Sequence, residues 1–259
     1  MSRKRHRGVL RRVRSKVGRA LGDYAMTADG DRILVAVSGG KDSLALLHIL
    51  QTRKPWIPVD YQLAPLFVGL GEPGDGERLA AARGLCDRLG LPLAVVDTDI
   101  GRRLRTEKLP ESHCFHCSRW KRKAIFNYAR DHGFAKVAFG HHRDDIIETA
   151  LLNLFYGSNF STMVPCQQLF RGTLAIIRPL AYLSAAEVVA YCRQHQLPLT
   201  QPPCVFQHQD QKRLQLRRLL AALEKDNPRV RDSIFHALRN VRQAYLLDVG
   251  FRESSQTAD

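Results

Sequence analysis

Residues 38–43 read Ser-Gly-Gly-Lys-Asp-Ser, and they stand between two apolar runs, Ile-Leu-Val-Ala-Val at 33–37 and Leu-Ala-Leu-Leu at 44–47. This arrangement predicts a buried strand, a glycine-rich turn and a helix that begins at the turn. Backbone N–H groups of such a turn, together with the positive end of the helix dipole, form a site for phosphate oxygens. The stretch therefore predicts a nucleotide-binding loop, with the candidate residues Ser38, Gly39, Gly40, Lys41, Asp42 and Ser43.

The loop differs from two widespread phosphate-binding loops. A Walker A loop needs a glycine five residues before Gly40, where Val35 stands, and the three-glycine dinucleotide fingerprint is also missing from the sequence. An ordinary Gly-Gly turn with an aspartate at a helix start is the alternative without function, and the strand–turn–helix context argues against it. The hexapeptide resembles the PP-loop of the ATP pyrophosphatases, a resemblance that implies cleavage of ATP between its α- and β-phosphates and transfer of AMP to a carbonyl-type oxygen.

Strand and helix patterns alternate along most of the chain. Strands are predicted at 32–37, 63–68, 93–97, 135–139 and 174–177, and helices near 42–51, 76–90, 118–132, 144–156 and 184–196. Such alternation predicts an α/β fold with a doubly wound parallel sheet, the architecture that the PP-loop (adenine nucleotide alpha hydrolase-like) resemblance also implies. Residues 98–113 and 157–172 fit neither pattern and are predicted to be long loops.

Beyond about residue 205 the pattern is helical only. One predicted face carries Leu216, Leu219, Leu220 and Leu223, and a second carries Ile234, Ala237, Leu238, Val241 and Tyr245. Their polar sides are rich in Lys and Arg, which predicts a helical appendage that helps to bind RNA; a solvated amphipathic surface is the alternative. The basic residues are Lys212, Arg213, Arg217, Arg218, Lys225, Arg229, Arg231, Arg239 and Arg242.

The predicted organisation has four parts. A basic N-terminal tail or helix covers residues 1–28, the PP-loop ATP pyrophosphatase domain covers 29–200, and a C-terminal helical region covers 201–250. Residues 251–259 are predicted to be a disordered tail.

The charge of the chain indicates a polyanionic partner. The 259 residues carry a formal net charge of +15, and residues 1–19 hold nine Lys or Arg and no acid. This favours nucleic acid over a membrane surface and predicts an N-terminal clamp on phosphates; a solvated tail and a mitochondrial presequence are the alternatives. The sequence has neither an apolar run of membrane-spanning length nor a signal-peptide core, and its six cysteines come without secretory features. A cytoplasmic protein without a membrane partner is expected.

Four polar clusters follow predicted strands, at 38–43, 114–117, 140–145 and 178–179. Ligands of a doubly wound sheet bind beyond the carboxyl ends of the strands, so we expect these clusters to converge on one edge.

The pair Cys114-x-x-Cys117 stands at a predicted helix start, where the helix dipole and neighbouring Lys and Arg residues favour thiolates. A zinc site, a redox dithiol and an iron–sulfur cluster are all open from the residues alone, with Cys204 as a third thiol in a polar loop. Cys86 and Cys192 lie in helical patterns and Cys166 in a loop, so these three are predicted to be structural.

Gly140-His141-His142-Arg143-Asp144-Asp145 places imidazoles and carboxylates at another helix start. Capping by Asp144, with Asp145 in the first turn, is one interpretation. In the other, Asp144 or Asp145 helps to hold Mg²⁺ or to orient the nucleotide, and His141 lies near the phosphates. Both interpretations can hold together.

The order of these motifs, continued by Leu154-Phe155-Tyr156-Gly157 and Ile177-Arg178-Pro179-Leu180, resembles that of the tRNA-cytidine 2-sulfurtransferases of the PP-loop superfamily. The resemblance covers roughly residues 10–245. It implies a [4Fe-4S] cluster on Cys114, Cys117 and Cys204, the use of ATP and Mg²⁺, and thiolation of cytidine 32 of tRNA. It further implies catalytic roles for Lys41, Asp42, Cys114 and Cys117, and nucleotide contacts from 38–43, Gly140, His141, Asp144 and Asp145.

By this resemblance cytosine O2 attacks the α-phosphorus of ATP, and sulfur then displaces AMP from C2. A sulfur donor such as a cysteine desulfurase is expected, and a homodimer is an open alternative to a monomer. Three other functions remain: a 2-thiouridine synthetase, a lysidine synthetase, and a non-catalytic RNA-binding iron–sulfur protein. Trp120 is expected in the core, with base stacking as its alternative.

Overall fold

The structure is a computed structural model, and it describes residues 3–199 and 211–247. The strands are β1 (Asp31–Ala36), β2 (Tyr61–Gly69), β3 (Ala94–Asp97), β4 (Lys136–Ala138), β5 (Cys166–Leu169) and β6 (Leu174–Ile177). The helices are α1 (Arg3–Asp23), α2 (Lys41–Arg53), α3 (Asp75–Leu89), α4 (Ile100–Thr106), α5 (His113–Asp131), α6 (Arg143–Tyr156), α7 (Ala185–Gln194), α8 (Gln211–Asp226) and α9 (Val230–Ala237). None of the described helices is long and apolar enough to cross a bilayer.

The strands form one mostly parallel sheet in the order β3-β2-β1-β4-β6-β5, which confirms the predicted α/β class. Strand β1 pairs in parallel with both β2 and β4, so the strand order reverses beside β1. Alternate residues of β1 enter different cores: Ile33 and Val35 pack on the side of α2 and α7, while Leu34 packs on the side of α5. The loops that follow β1 and β4 therefore meet at the switch point of the sheet, where ligands bind in such folds.

Two predicted loops contain regular structure. Residues 98–113 include α4, and residues 157–172 include β5, which pairs antiparallel with β6 from Cys166↔Ile177 to Leu169↔Leu174. The five predicted strands therefore lacked β5, which adds one antiparallel edge strand to the parallel sheet, and the loop position of Cys166 was wrong. The Cys-Gln-Gln-Leu sequence of β5 is too short and too polar to show an alternating pattern, so only its partner β6 defines it.

Helix α5 begins at His113, five residues before the predicted start. Ser112 caps it and accepts a hydrogen bond from the Phe115 N–H at 3.3 Å. The first turn, His-Cys-Phe-His-Cys, carries no apolar stripe, so periodicity could not reveal it. Cys114 and Cys117 consequently lie inside the first turns of α5.

The basic N-terminal region is a packed helix. Val13, Val17 and Ala20 of α1 are buried in the main core, and the Lys16 ammonium lies 2.7 Å from Glu187 of α7. The interpretation as a solvated tail is therefore wrong for residues 9–21. The predicted domain boundaries stay predictions.

The C-terminal helices pack on α6 through buried Leu216, Leu220 and Phe235. Leu219 and Leu223 are each 42% exposed, so only half of the first predicted apolar face is buried. The second predicted face is also too long, because α9 ends at Ala237. Ion pairs fasten this packing, since Arg213 and Arg217 reach Glu148 of α6, and Arg231 bridges Asp144 and Glu224. These three arginines were predicted to serve RNA, yet they hold the appendage in place.

Candidate active site

The loop at 38–43 connects β1 to α2, as predicted. The Ser43 hydroxyl braces it by accepting a hydrogen bond from the Ser38 N–H at 3.0 Å and donating one to the Gly40 carbonyl at 2.9 Å. Gly39 has a φ of +75°, and a Cβ there would overlap the carbonyl group of Arg78. No described side chain caps the N-terminus of α2 at Gly40. The N–H groups of its first turn are thus available to an anion.

Lys41 and Asp42 form an ion pair at the start of α2, with the Lys41 ammonium 2.7 Å from Asp42 Oδ2. The other carboxylate oxygen, Oδ1, is buried and has no hydrogen-bond partner in the described part of the chain. It lies 3.9 Å from His142 Nε2. A buried oxygen without a partner is costly, so this atom is suited to meet a cation or a donor from a bound ligand.

Gly140 brings the predicted cluster at 140–145 against the loop at 38–43. A Cβ on Gly140 would lie 2.9 Å from the Asp42 carbonyl carbon and 3.0 Å from the Ser43 nitrogen. Only glycine permits so close an approach of the β4–α6 turn to the start of α2. The predicted convergence of the clusters at 38–43 and 140–145 is therefore observed.

The two aspartates of α6 have different partners. Asp145 Oδ2 accepts a hydrogen bond from the His142 N–H at 2.8 Å and so caps α6. Asp144 Oδ2 accepts the Ala185 N–H at 2.6 Å, and its Oδ1 accepts from Arg231 at 3.1 Å. The predicted capping role of Asp144 is wrong: it ties α6 to α7 and α9, and Asp145 is the residue that caps.

Burial sets the protonation of this region. It raises the pKa of Asp145, an effect that the charge of Asp42 increases and that of His142 opposes. Burial, aided by the positive charges of Arg178, His142 and Arg122, lowers the pKa of His141 to about 3. His141 is therefore a neutral imidazole at neutral pH, and its buried Nδ1 has no partner among the described residues.

Cys114 and Cys117 are both half-buried on α5, and Cys117 packs against Leu70, Ile100 and Leu104. Trp120 is half-buried against the same small cluster, so it is not a fully buried core residue, and the Arg103 guanidinium lies 3.9 Å from its ring centre. Cys204 lies outside the described residues, so the predicted set of three thiols stays a prediction. Within the described ranges, no group of three or more His, Cys, Asp or Glu side chains is arranged to hold a metal ion.

The remaining cysteines fit structural positions. Cys86 and Cys192 are buried, and burial raises the pKa of each thiol to about 11. Cys192 lies directly beneath the loop, with its Sγ 3.5 Å from the Lys41 carbonyl oxygen. We therefore expect a larger side chain at Cys192 to displace the loop at 38–43.

Sequence reasoning missed two arginines that shape the site. Arg78 of α3 pairs with Asp75 at 2.8 Å and presents its carbonyl group to Gly39. Arg178 was singled out only as part of a cluster, yet it is 5% exposed and its guanidinium donates to the Val164 carbonyl at 2.5 Å. Burial lowers the pKa of Arg178 to about 10, with a further contribution from Arg122. The turn dipeptide Arg178-Pro179 was the only sequence signal for this contact, and Arg78 had none.

Comparison with known proteins agrees with this geometry. The family described as a PP-loop domain matches residues 10–223. Two relatives named tRNA-cytidine(32) 2-sulfurtransferase come from Geobacter sulfurreducens and Geotalea uraniireducens. The first is 37% identical over 92% of this chain and 93% of its own length, and the second is 38% identical over 93% and 95%.

Solved structures share the fold at lower identity. The U34-tRNA thiolase NcsA from Methanococcus maripaludis, solved with its [4Fe-4S] cluster, superposes with a TM-score of 0.73 at 21% identity, over 93% of this chain and 83% of that one. The NH3-dependent NAD synthetase from Campylobacter jejuni has a TM-score of 0.51 at 15% identity, over 94% of this chain and 95% of that one. At these identities the two structures indicate the fold alone.

Proposed function

The chain belongs to the PP-loop family and, within it, to the tRNA-cytidine(32) 2-sulfurtransferases, and we propose that it uses ATP to replace O2 of cytidine 32 in tRNA with sulfur. The observation that carries the proposal is identity of 37–38% over more than nine-tenths of the chain with relatives of that name. The loop at 38–43 supports the proposal as well. ATP-dependent chemistry needs a phosphate-binding site, and the open N-terminus of α2 behind this loop provides one.

ATP phosphates bind at the open N-terminus of α2 in this proposal. The N–H groups of the first turn donate hydrogen bonds to phosphate oxygens. The Lys41 ammonium also contacts the phosphates, so its ion pair with Asp42 becomes weaker. Gly140 keeps the β4–α6 turn close, so neutral His141 lies beside the nucleotide without adding charge.

Mg²⁺ fits the carboxylates that remain available. Asp42 has a buried oxygen without a partner, and Asp145 lies across the His142 ring, 3.3 Å from its Nδ1. Mg²⁺ binds through one or two carboxylates together with substrate phosphates and water, which agrees with the lack of a protein-only metal group among the described residues. Both oxygens of Asp144 are engaged, so Asp42 and Asp145 are the better candidates.

The first chemical step forms one bond and breaks one. Cytosine O2 attacks the α-phosphorus of ATP, the bond from that phosphorus to the bridging oxygen breaks, and pyrophosphate leaves. The base oxygen, a poor leaving group, becomes part of AMP. Sulfide then forms a bond to C2, and AMP leaves with the former base oxygen. The loop residues stabilise the negative charge that develops on the phosphate in the first step.

The thiols of Cys114 and Cys117 fit two ligands of a [4Fe-4S] cluster, since they lie three residues apart on one helix and are half-buried. Cys204 is proposed as the third ligand. When bound, the cluster supplies an iron with a free coordination position that can hold sulfur near the base. Residues three apart on a helix share a face, so both thiols lie on the same side of α5.

The tRNA partner is proposed to contact the exposed basic residues of α1, α5, α8 and α9. A desulfurase-type sulfur donor, a cytoplasmic location and a homodimer stay predictions.

The direct test is nucleoside mass spectrometry of tRNA from a strain that lacks the gene, complemented with the wild type or with Cys114→Ser. We expect 2-thiocytidine with the wild type only. A lysidine synthetase would need no thiol, so lysidine in place of 2-thiocytidine, from the wild type and from Cys114→Ser alike, would favour that function. Absence of 2-thiocytidine with the wild type, in cells that supply iron and sulfide, would refute the proposal.

A further inference from the structure

A cleft of about 870 Å³ runs along α5, and we call it the α5 cleft. It lies between α5, the segment before α5, and strand β5 with the turn that follows it. The basic residues that line it are Lys108, Arg119, Arg122, Lys123 and Arg130. Of the described residues in its wall, only Glu107 carries a carboxylate, and Arg103 pairs with that group at 2.6 Å. The cleft therefore carries a strong excess of positive charge.

The charges in its middle lack acidic partners in the described part of the chain. Over residues 3–199 and 211–247, no ion pair involves Lys108, Arg119, Arg122 or Lys123. Arg119 and Arg130 are eleven residues apart on α5, which corresponds to about 16 Å along the helix. Cations in a concave surface focus the electrostatic field and attract a polyanion. This length suits several successive backbone phosphates.

An exposed aromatic ring stands at the far wall. Phe170 is 62% exposed in the turn between β5 and β6, and the backbone of this turn is left-handed at both Phe170 (φ +50°) and Arg171 (φ +57°). Such a conformation is unusual for side chains of this size, and it presents the ring outward. Phe126 supports the ring edge-on, at 6.2 Å between centroids. A supported, exposed aromatic ring beside cations is a stacking surface for a nucleic-acid base.

Packed aromatic rings connect the wall of the cleft to the candidate active site. Ring contacts lead from Phe170 to Phe126, from Phe126 to Phe139 at 6.4 Å, and from Phe139 to His141 at 5.7 Å. Arg122 lines the cleft and also contributes to the lowered pKa of His141 and Arg178, after burial in both cases. A second cavity of about 480 Å³ extends the cleft past Phe126 and Phe170 toward Leu174. Leu174 begins β6, so this end of the cleft lies at the edge of the sheet opposite the phosphate loop, and a strand of RNA along α5 would lead from there toward the nucleotide site.

We propose that the α5 cleft binds the single-stranded nucleotides next to the reacting base of the tRNA. Arg119, Arg122 and Lys123 contact the phosphates, and one unpaired base stacks on Phe170. Single-stranded RNA is favoured over duplex because a base must be unstacked to lie on an aromatic ring. The inference rests on the proposed function for the identity of the RNA, and it assigns a separate surface to its binding.

The test measures binding of the full chain to an unmodified tRNA transcript, to oligocytidylate, and to an RNA duplex of equal length, as a function of salt. Phe170→Ala should weaken binding of tRNA and oligocytidylate by about 5- to 150-fold, the usual effect of losing one base stack, and duplex binding much less. Arg119→Gln with Lys123→Gln should make the plot of log affinity against log salt shallower by about 1.4. The control is Arg83→Gln with Arg88→Gln, on the exposed side of α3, which removes the same amount of charge. We expect this variant to keep the wild-type slope.

Two measurements keep this proposal separate from the proposed function. Thermal melting of Phe170→Ala should match the wild type, because the ring is exposed. If wild-type protein produces 2-thiocytidine while the cleft variants bind tRNA as tightly as the α3 control, the cleft proposal is overturned and the function stands. If the wild type produces none, yet the cleft variants lose RNA binding as described, the cleft proposal stands and the function is overturned.

Discussion

Asp42 and Asp144 both follow a parallel strand, but their surroundings give them different roles. One oxygen of Asp42 is buried without a partner beside the phosphate loop, whereas both oxygens of Asp144 accept hydrogen bonds from other elements. Burial of an unpaired oxygen is tolerated where a ligand later satisfies it. Asp42 thus keeps an oxygen available to a ligand, whereas Asp144 is committed to contacts between helices.

Asp42→Asn is expected to reduce ATP-dependent pyrophosphate release by roughly 100- to 1000-fold, the usual cost of losing one group that stabilises transition-state charge. The iron–sulfur absorbance of anaerobically prepared protein should stay at the wild-type level, because Asp42 is on α2 and the thiols are on α5. Asp131→Asn, an equal charge change at the exposed end of α5, is the control. Unchanged pyrophosphate release, or loss of the absorbance, would contradict the role given to Asp42.

Gly39 tests the loop conformation. Gly39→Ala places a Cβ against the Arg78 backbone at a φ of +75°, so the free energy of unfolding should fall by more than about 1 kcal/mol. ATP affinity should fall as well, since the loop has to move. Gly76→Ala, in the first turn of α3 with open space around it, should instead stabilise the protein by about 0.5–1 kcal/mol. Urea unfolding and ATP titration of both variants measure the difference; equal behaviour would show that the loop is not constrained at Gly39.

At the scale of elements, α1 combines a packing role with the proposed contact to RNA, and its sequence alone does not separate the two. Val13 and Val17 enter the main core, while Arg11 and Arg12 are exposed on the other side of the helix. Deleting residues 1–19 would remove both roles at once, so it cannot isolate RNA binding. Substitutions on each face can.

Arg11→Gln with Arg12→Gln should weaken tRNA binding, and the salt dependence should become shallower by about one unit per lost phosphate contact, without a change in stability. Val17→Ala should do the reverse: it should cost about 2 kcal/mol of stability and leave the salt slope unchanged. Filter binding over a salt series and chemical unfolding are the two measurements. A slope equal to that of the wild type in the arginine variant would show that α1 does not contact the RNA backbone.

In helices α8 and α9, basic residues that the sequence assigned to RNA binding form ion pairs within the protein. Their arginines look like a nucleic-acid surface, yet Arg217 forms a two-point contact with buried Glu148, at 2.8 and 3.1 Å. Removing one member of such a pair leaves a buried charge without compensation, which is strongly destabilising. Arg218 and Lys225 are therefore better positions than Arg217 for testing RNA contacts in the appendage.

For the whole molecule, partly buried histidines link stability to pH. Burial, with smaller contributions from His195 and Arg88, lowers the pKa of His48 to about 4, and the His48 Nδ1 lies 2.8 Å from the Tyr191 hydroxyl. Burial also lowers the pKa of His195 and of His141. The unfolded chain therefore takes up protons before the folded one does.

The sign follows from this order of protonation. The stability contributed by neutral His48 is complete above its ordinary pKa of 6.5 and is lost as the pH falls toward about 4. Urea midpoints measured from pH 7 to pH 4.5 should decrease steadily. His48→Gln should lose less stability over this range than the wild type, while His236→Gln, at an exposed site on α9, should follow the wild type. A pH profile that is the same in all three proteins would show that the pKa of His48 does not differ between the folded and the unfolded chain.

The sequence alone determined the α/β class, the phosphate loop and the convergence of the clusters at 38–43 and 140–145. These features depend on local physics: apolar periodicity defines strands and helices, glycine permits the turn, and parallel strands bring their carboxyl ends to one edge. Only the tertiary structure decided that Asp144 joins three helices and that α1 belongs to the core. The same is true of β5, which adds an antiparallel edge strand to the sheet, and of Phe170, which lies in the wall of a basic cleft. Each of these features depends on a contact partner that is close in space but far away in the sequence.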